Sequence, residues 1–526
     1  MYFVPSWYHE NEFRENEQYW FSTRMVTEFD DTVKQVQMFN RNKIMDYKIL
    51  NLSYCPNFRH FLHRQSVFHA PYWSCFDAIQ EIERSQVDIL SFHDLMWPDH
   101  TEFIYTPFCI IAYVNNQKYA EIQFGEDGNM IEVLLFDSNI LIRKNVYDDR
   151  GFLSNTIVYE NNRPLYEQYL NEKGDWKICR FFEDNHIEIN PDLNTYLING
   201  KHIQFKNLNY SSMESLIEEV FDSYLKTTKE NDIFCLAMHM LHHDLLERLF
   251  FNRKTILSFY QNRMELVEDE ELKMLIQNTN YVIVDSKQKI KEIHDYTQKD
   301  IPIVEITPFD TRVDFGISQQ LTVQNILVPI DQIGMDKLKQ LVLEFCSYFE
   351  TNETARVHFF TRNAKWDRID SILESVRNTL KENGLDCRLA RKEETMDAEN
   401  DLDGETSVPK KFYVDQCVDE LNVSKCIREQ RIMVDVTDNP DLYLQISCIS
   451  SAIPQIMMKE TQYVHDGKNG FVISDIHAIS KCLTYYLDNL TNWNKCKIYS
   501  YELGKEYNTA SLIKKWKGVM EQVGKD

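Results

Sequence analysis

The sequence predicts an α/β protein with two lobes, each built on a parallel β-sheet, and an antiparallel β domain inserted into the first lobe. Three observations lead to this fold class. Buried-strand patterns alternate with helical stripes in both halves of the chain. Between them, residues 101–205 carry short strand-like runs separated by Asn-Gly and Gly-Asp turns. Near the C-terminus, Arg431–Ile473 reads strand, turn, helix, strand, an order typical of a parallel sheet.

The first lobe is expected to comprise residues 1–100 and 206–320, with a Rossmann-like alternation of strands and helices. One helix places Phe29, Val33 and Val36 on a single face. The other predicted elements are strands at Tyr2–Pro5, Lys48–Leu52, Val87–Phe92, Ile233–Met238, Tyr281–Asp285 and Ile303–Ile306, and helices at Ser74–Glu83, Met213–Leu225 and Met240–Phe250. Residues 1–100 lack the G-x-G-x-x-G turn of dinucleotide-binding lobes.

Residues 101–205 are expected to form the inserted β-rich meander. The predicted strands are Phe108–Val114, Tyr119–Phe124, Met130–Phe136, Phe152–Glu160, Leu165–Leu170, Trp176–Phe182 and Thr195–Ile198. Turn-forming residues separate these runs, for example Asn115-Asn116 and Asn199-Gly200. Such a domain exposes strand edges and aromatic side chains, and both features suit the docking of partner proteins.

The second Rossmann-like lobe is expected at residues 321–505 and begins with a strand at Val323–Ile330. Two helices with apolar stripes flank a strand at Val357–Thr361. Glu393–Glu405 contains seven acidic residues and no basic one, which predicts a solvated, mobile and dispensable loop. A final helix in residues 506–526, capped by Asn508, is expected to pack back onto the first lobe.

Composition excludes several classes of function. The chain of 526 residues carries a net charge of −25, so it repels nucleic-acid backbones and anionic lipid surfaces. The N-terminus lacks a signal-peptide pattern, and no run of about 18 apolar residues predicts a membrane span. Twelve scattered cysteines without a Cys-x-x-Cys pair favour reduced thiols in a cytoplasmic protein over disulfides or a zinc site.

The carboxyl ends of the strands in Arg431–Ile473 predict a ligand site around Asp438–Leu444. This stretch resembles the sugar-nucleotide lobe of retaining GT-B glycosyltransferases, whose pattern ends in V-x-D-G-x-N-G-x-x-V. That ending survives at Val464–Ile473 and makes Asp466 and Asn469 candidate contacts to a ligand or partner. The family's two glutamates, which hold the sugar and the ribose, fall instead on Asn439 and Ser447.

A donor diphosphate needs cations, which the resemblance places in the loop after the first strand of the second lobe. That loop, Val328–Gly334, contains one acid and no base. We therefore expect an emptied donor site with no catalytic residues and no cofactor.

Three further groups are candidates for a site. Asp310 and Arg312 predict either a polar site at the lobe junction or a self-paired hinge loop. His239 and His243 lie one helical turn apart, but without an adjacent glutamate base they are assigned to packing, so no metal site is expected. Tyr54–His69, rich in aromatic residues and histidines, fits either sugar stacking or the edge of a core.

Five phrases of the sequence resemble one family, the first of the accessory secretory proteins in the accessory Sec system of Gram-positive bacteria. The phrases are Phe3–Tyr8, Phe29–Val33, Pro56–Gln65, Tyr72–Asp77 and Ile306–Arg312. The resemblance implies a GT-B-like protein of the cytoplasm, recruited to the membrane translocon through its partners. The implied partners are the second and third accessory secretory proteins, the accessory SecA ATPase and a serine-rich repeat glycoprotein substrate.

Three functions fit the sequence. The leading hypothesis is a non-catalytic export component that recognises partners, with recognition of glycosylated substrate as an extension. The alternative is an active retaining GT-B glycosyltransferase with an unusual donor site. A third option is a free-standing carbohydrate-binding module.

Overall fold

The computed structural model describes residues 1–9, 12–14, 29–125, 127–312, 314–365, 367–392 and 409–525. Its strands form sheets of seven, ten, two and six strands. The seven-stranded and six-stranded sheets are parallel throughout, and the ten-stranded sheet is antiparallel. Two parallel α/β lobes and a β-rich insertion were expected, and this fold class is confirmed.

Each strand forms backbone hydrogen bonds with at least one neighbouring strand. In chain order they are β1 Tyr2–Val4, β2 Lys48–Asn51, β3 Tyr72–Ser74, β4 Glu102–Tyr105, β5 Ile110–Val114, β6 Gln117–Phe124, β7 Met130–Asp137, β8 Ile140–Asp148, β9 Phe152–Glu160, β10 Arg163–Leu170, β11 Trp176–Phe181, β12 Ile187–Ile189, β13 Thr195–Ile198, β14 Lys201–Gln204, β15 Asn209–Tyr210, β16 Ile233–Ala237, β17 Lys254–Phe259, β18 Tyr281–Val284, β19 Ile303–Glu305, β20 Gln324–Pro329, β21 Ala355–Thr361, β22 Phe412–Gln416, β23 Gln430–Asp435, β24 Gln455–Met457 and β25 Gly470–Val472.

The α-helices cover the faces of the two parallel sheets. They are α1 Asp31–Asn42, α2 Phe58–Arg64, α3 Cys75–Gln80, α4 Met213–Leu225, α5 His243–Phe250, α6 Glu270–Asn278, α7 Lys287–Thr297, α8 Met335–Phe349, α9 Arg368–Glu382, α10 Glu420–Arg428, α11 Leu442–Ser451, α12 Ile479–Leu487, α13 Leu490–Gly504 and α14 Thr509–Lys525. Within the described residues no helix is long and apolar enough to cross a membrane.

The order of strands shows how distant parts of the chain join. The first parallel sheet runs β19-β18-β17-β16-β1-β2-β3, so strands from before and after the insertion pair directly through β1 and β16. The second runs β22-β21-β20-β23-β24-β25. In both sheets the topology reverses between strands of distant sequence, which opens a crevice at the carboxyl ends of the strands.

The ten-stranded sheet follows the order β15-β12-β11-β10-β9-β8-β7-β6-β5-β4. Asparagine at positive φ forms several of its tight turns, as at Asn115-Asn116 and Asn161-Asn162. The sheet includes Asn209–Tyr210, beyond residue 205, where the insertion was expected to end. Phe92 and its neighbours cover part of one face and form a small separate core there.

The last helix, α14, packs on the first lobe. Trp516 is 1% exposed and meets the ring of Phe39 edge-on, with centroids 5.1 Å apart. Leu512, Val519 and Val523 belong to the same buried cluster as Phe3 of β1. Strand β1 and helix α14 therefore share one core.

Several local predictions differ from the structure. The strand predicted at Val87–Phe92 is wrong: the segment is irregular, Ile89 is 95% exposed, and a 3₁₀ turn begins at Phe92. The helix predicted from Met240 begins at His243. Strands β3, β4, β8, β12, β14, β15, β17 and β22 were not predicted. The acidic stretch Glu393–Glu405 lies outside the described residues.

Candidate functional site

A cavity of about 1100 Å³ lies between the two parallel sheets, at the carboxyl ends of their strands. The first lobe contributes the segments that follow β1, β17 and β18, and the second contributes those that follow β20, β21, β23 and β24. Residues 438–442 of the predicted ligand region Asp438–Leu444 line this cavity, and they include Asn439. We call this space the first cavity.

Ser447 lines a different space, a second cavity of about 650 Å³. Where the two cavities adjoin, three aromatic rings pack together, and we call them the aromatic plug. Phe29 contacts Tyr443 with centroids 4.8 Å apart, and Tyr443 contacts Phe309 at 5.0 Å. Asn439 and Ser447, the positions on which the family's two glutamates are predicted to fall, therefore line different cavities.

The first cavity does contain a cation that the sequence analysis missed. The Val328–Gly334 loop carries no base, as its sequence shows, but Arg362 reaches the cavity from the segment after β21. Its Nη2 lies 3.1 and 2.9 Å from the two carboxylate oxygens of Asp441, and its Cζ lies 3.8 Å from the centre of the Phe29 ring. Asp331 accepts the backbone N–H of Arg362 at 2.7 Å. The charge of Arg362 is thus matched inside the protein.

A buried charged group lies on the first-lobe side of the cavity. The Arg263 guanidinium donates to Asp31 Oδ1 at 2.5 Å and Oδ2 at 3.1 Å, and to Asp30 Oδ2 at 3.3 Å. Its Nε donates to the carbonyl of Met238 at 2.8 Å. Burial and the neighbouring Asp31 raise the pKa of Asp30 to about 6, although Arg263 opposes the shift. Because these acceptors already bind the guanidinium of Arg263, few of its N–H donors remain for an added anion.

Asp285 and Tyr463 join the two lobes beside the cavity. The Tyr463 hydroxyl donates to the backbone carbonyl of Asp285 at 2.7 Å, and the Gln462 amide donates to the same oxygen at 3.2 Å. Burial raises the pKa of Asp285 to about 6, while the backbone N–H of Gln261 donates to its carboxylate at 2.6 Å. These contacts hold the two lobes together beside the first cavity.

The polar lining of the first cavity combines amides with six acidic and six basic residues, whose charges balance. Nine of its described lining residues are amides: Gln65, Gln261, Asn262, Gln288, Gln332, Asn363, Asn439, Gln445 and Gln462. Trp7, Tyr8 and Phe61 add aromatic surface. Amides both donate and accept hydrogen bonds, and aromatic rings cover apolar faces, so the lining matches a neutral polyhydroxyl compound better than a diphosphate.

The polar residues of the motif at Val464–Ile473 form hydrogen bonds within the turn that the motif makes. The Asn469 amide donates to the carbonyl of Tyr463 at 2.8 Å, and its oxygen accepts the N–H of His465 at 2.7 Å. Asp466 accepts the N–H of Val472 at 2.9 Å. A Cβ on Gly470 would lie 2.0 Å from the carbonyl oxygen of Gln455. The motif holds the fold locally, and neither Asp466 nor Asn469 lines the two cavities.

Asp310 and Arg312 line the second cavity near the lobe junction. They lie 3.6 Å apart, and Asp310 also accepts the Thr509 hydroxyl at 2.5 Å. The backbone N–H of Arg312 donates to Ser450 Oγ at 3.2 Å. The segment therefore connects the lobe junction to α11 and α14.

The two histidines that the sequence pairs have separate surroundings. His239 Nδ1 accepts the N–H of Leu241 at 3.0 Å, and burial lowers its pKa to about 4. His243 begins α5 and instead lies against Asp244 and Asp269. In the Tyr54–His69 region, Tyr54, Phe58, Phe61 and Leu62 are core residues. His60 Nδ1 lies 3.1 Å from the amide oxygen of Asn129 in the insertion.

Arg263 and Arg362 are two of the charged residues of the site that sequence reasoning missed. A signal existed for Arg362, because it directly follows the strand predicted at Val357–Thr361, and such positions line the crevice. For Arg263 the signal was lost when β17 was not recognised, because Arg263 lies in the segment after that strand.

Comparisons with known proteins agree over the whole chain. The family of accessory Sec system proteins known as accessory secretory protein 1 matches residues 1–523. Its member from Streptococcus gordonii is 30% identical over 529 residues, which cover 98% of this chain and 98% of the relative. The crystal structure of accessory secretory protein 1, 2 and 3 in Streptococcus pneumoniae has a chain that is 29% identical, with a TM-score of 0.79 over 100% of this chain and 99% of that one.

A more distant likeness concerns the fold alone. The pneumococcal O-GlcNAc transferase GtfA, solved with UDP and GlcNAc, is 12% identical, with a TM-score of 0.69 over 100% of this chain and 99% of that one. This chain has the GT-B glycosyltransferase fold.

Proposed function

Since the chain belongs to the accessory secretory protein 1 family of the accessory Sec system, we propose that it is a non-catalytic component of that export machinery. In this proposal it works in the cytoplasm, in complex with the second and third accessory secretory proteins and the accessory SecA ATPase. Its task is the export of serine-rich repeat glycoproteins, and its partners recruit it to the membrane translocon. The similar pneumococcal structure, whose description names accessory secretory proteins 1, 2 and 3, supports an assembly of this kind.

The non-catalytic part of the proposal rests on the division of the cleft between the lobes into two cavities. A nucleotide-sugar needs a continuous site for its sugar, diphosphate and nucleoside, with cations free to meet the phosphates. Here Asn439 and Ser447 line different cavities, with the aromatic plug where these adjoin. Arg362 is neutralised by Asp441 and stacked on Phe29.

The first cavity provides a place for glycosylated substrate. Its nine amides and its aromatic surface suit the hydroxyl groups and apolar faces of sugars without a diphosphate. The proposal therefore separates two properties that an enzyme combines: the cavity binds sugar, and it transfers none.

The decisive experiment measures turnover and export together. Purified protein incubated with a panel of sugar nucleotides should neither hydrolyse nor transfer a sugar. A strain lacking the protein should fail to export the serine-rich glycoprotein while ordinary secretion continues. Asn439→Ala should restore that export, because it changes only the position predicted for the lost catalytic acid and leaves the other eight amides of the first cavity in place. Loss of export with Asn439→Ala while the complex still assembles would overturn the proposal.

The alternative, an active glycosyltransferase, is favoured by one observation. The first cavity keeps a volume of about 1100 Å³ between the lobes, and Lys365 and Lys459 are among its lining residues. An enzyme would release nucleotide from a donor, and this release would fall when either lysine is changed to methionine. Reproducible turnover with that dependence would establish the alternative in place of the non-catalytic role.

A further inference from the structure

A histidine and two aspartates meet at the N-terminal ends of two neighbouring helices. His243 is the first residue of α5, and Asp269 is the N-cap of α6. His243 Nε2 lies 2.9 Å from Asp244 Oδ1 and 3.3 Å from Asp269 Oδ2. The three potential ligand atoms all lie within 4.8 Å of one another. His243 itself is buried, with 8% of its surface exposed.

The other nitrogen of the ring determines what Nε2 can do. His243 Nδ1 lies 2.9 Å from the backbone carbonyl oxygen of Met240. A carbonyl oxygen only accepts, so the hydrogen of this bond must be on Nδ1. In the neutral ring Nε2 then carries a lone pair, and that lone pair faces two carboxylates that also only accept. A positive group at this point, either a proton on Nε2 or a metal ion, is needed to hold the three acceptors in contact.

We propose that His243, Asp244 and Asp269 form a binding site for a divalent transition-metal ion of the zinc type. Imidazole and carboxylate are ordinary ligands of zinc, at about 2.0–2.2 Å. Two ligands at that bond length in a tetrahedral site lie about 3.4 Å apart, close to the spacing of Nε2 and Asp269 Oδ2. Three protein ligands leave a fourth position for water.

The surroundings orient the ligands as metal sites require. The Met240 carbonyl holds the histidine by its second nitrogen, an arrangement common around bound metals. The backbone N–H groups of Glu271 and Leu272 donate to Asp269 Oδ1 at 2.9 and 3.3 Å, which leaves Oδ2 for the ion. The N-terminus of α6 thus fixes the Asp269 carboxylate, which offsets the positive end of that helix.

An ion at this position would join α5 to α6 and fix the end of the loop between β17 and α6. That loop contains Gln261, Asn262 and Arg263, which line the first cavity. The metal would therefore have a structural role, because it would fix one wall of the cavity without taking part in a reaction there. This inference is independent of the proposed export function.

The test is titration of metal-free, full-length protein with zinc chloride, followed by calorimetry and by thermal unfolding. We expect one saturable equivalent and a rise in the melting temperature. Asp244→Asn, on a side chain that is 48% exposed, and His243→Gln should each weaken binding at least tenfold. Asp244→Asn leaves the α6 cap untouched, so it stays informative even if other variants fold poorly.

The matched control is His186→Gln. His186 also lies near two carboxylates, 2.5 Å from Asp184 and 3.6 Å from Glu188, but on the exposed surface. This variant should bind zinc like the parent protein. Cobalt in place of zinc should give an absorption spectrum without thiolate charge transfer, since the site has no cysteine. Absence of saturable binding, binding undiminished in Asp244→Asn, or a thiolate spectrum would each overturn the proposal.

Discussion

Phe29 connects the two lobes, and its replacement by alanine is the sharpest test of the divided cleft. The side chain is 7% exposed and packs against Tyr443 while Arg362 lies over its ring. Removal of a buried phenylalanine side chain costs about 3–5 kcal/mol of unfolding free energy. Because Phe29 borders a cavity into which neighbours can move, we expect about 3 kcal/mol, the low end of that range.

The contact between Phe29 and Arg362 can be measured by itself with a double-mutant cycle. Phe29→Ala, Arg362→Met and the double variant would be unfolded in guanidinium chloride. A close, partly buried cation–π contact contributes about 1–2 kcal/mol, and this is the expected coupling energy. Methionine keeps the apolar stem of Arg362, so the cycle reports mainly on the charge above the ring.

The chain contains a matched control pair. Arg59 lies 5.6 Å from the ring of Phe68, which is 40% exposed, and we expect a coupling energy below about 0.5 kcal/mol there. A coupling between Phe29 and Arg362 no larger than that of the control pair would refute the reasoning. A Phe29→Ala variant that unfolds at the parent midpoint would show that the plug does not hold the lobes together.

Three further outcomes are expected. Trp516→Ala should lower the free energy of unfolding by about 3–5 kcal/mol, because Trp516 is 1% exposed in the core that α14 shares with β1. Lys517→Ala, at an exposed position, should change this free energy little, and denaturant unfolding measures both variants. Asn469→Ala leaves two backbone groups without their buried partner and should cost about 3 kcal/mol by the same measurement, while export stays intact if the turn remains folded. Burial raises the pKa of the Asp435 carboxyl to about 6, from about 3.9 in the unfolded chain, so the folded protein binds this proton more tightly. Ionisation of Asp435 therefore lowers the free energy of unfolding as the pH rises from 4 to 7. Asp435→Asn should remove up to about 3 kcal/mol of that pH dependence, which denaturant unfolding at several pH values would measure.

Local signals in the sequence identified much of the fold. The helix Met213–Leu225 was predicted with its observed bounds, because an apolar stripe follows a serine whose side chain caps it. The strand predicted at Val87–Phe92 failed because apolar residues form a strand only where a neighbouring strand pairs with them. Strand β17, by contrast, was missed although it lies inside its sheet between β16 and β18. Its stability as a strand depends on pairing with these two neighbours, and local sequence patterns do not reveal which strands pair.

The site was less accessible to sequence reasoning because its parts come from distant segments. The motif at Val464–Ile473 suggested ligand contacts at Asp466 and Asn469, but its residues hold a turn. The substitutions at Asn439 and Ser447 could be read from spacing, whereas their separation into two cavities depends on Phe29, more than four hundred residues earlier. The neutralisation of Arg362 by Asp441 likewise depends on how two neighbouring loops meet.

The position of α14 also has a consequence for biosynthesis. The first strand and the first helix leave the ribosome early, yet the tryptophan that completes their core follows more than 470 residues later. Until that tryptophan is translated, the nascent first lobe exposes the apolar surface around Phe39 to solvent and to chaperones. A truncated product from a broken message would keep that surface exposed, and quality-control proteases would recognise it.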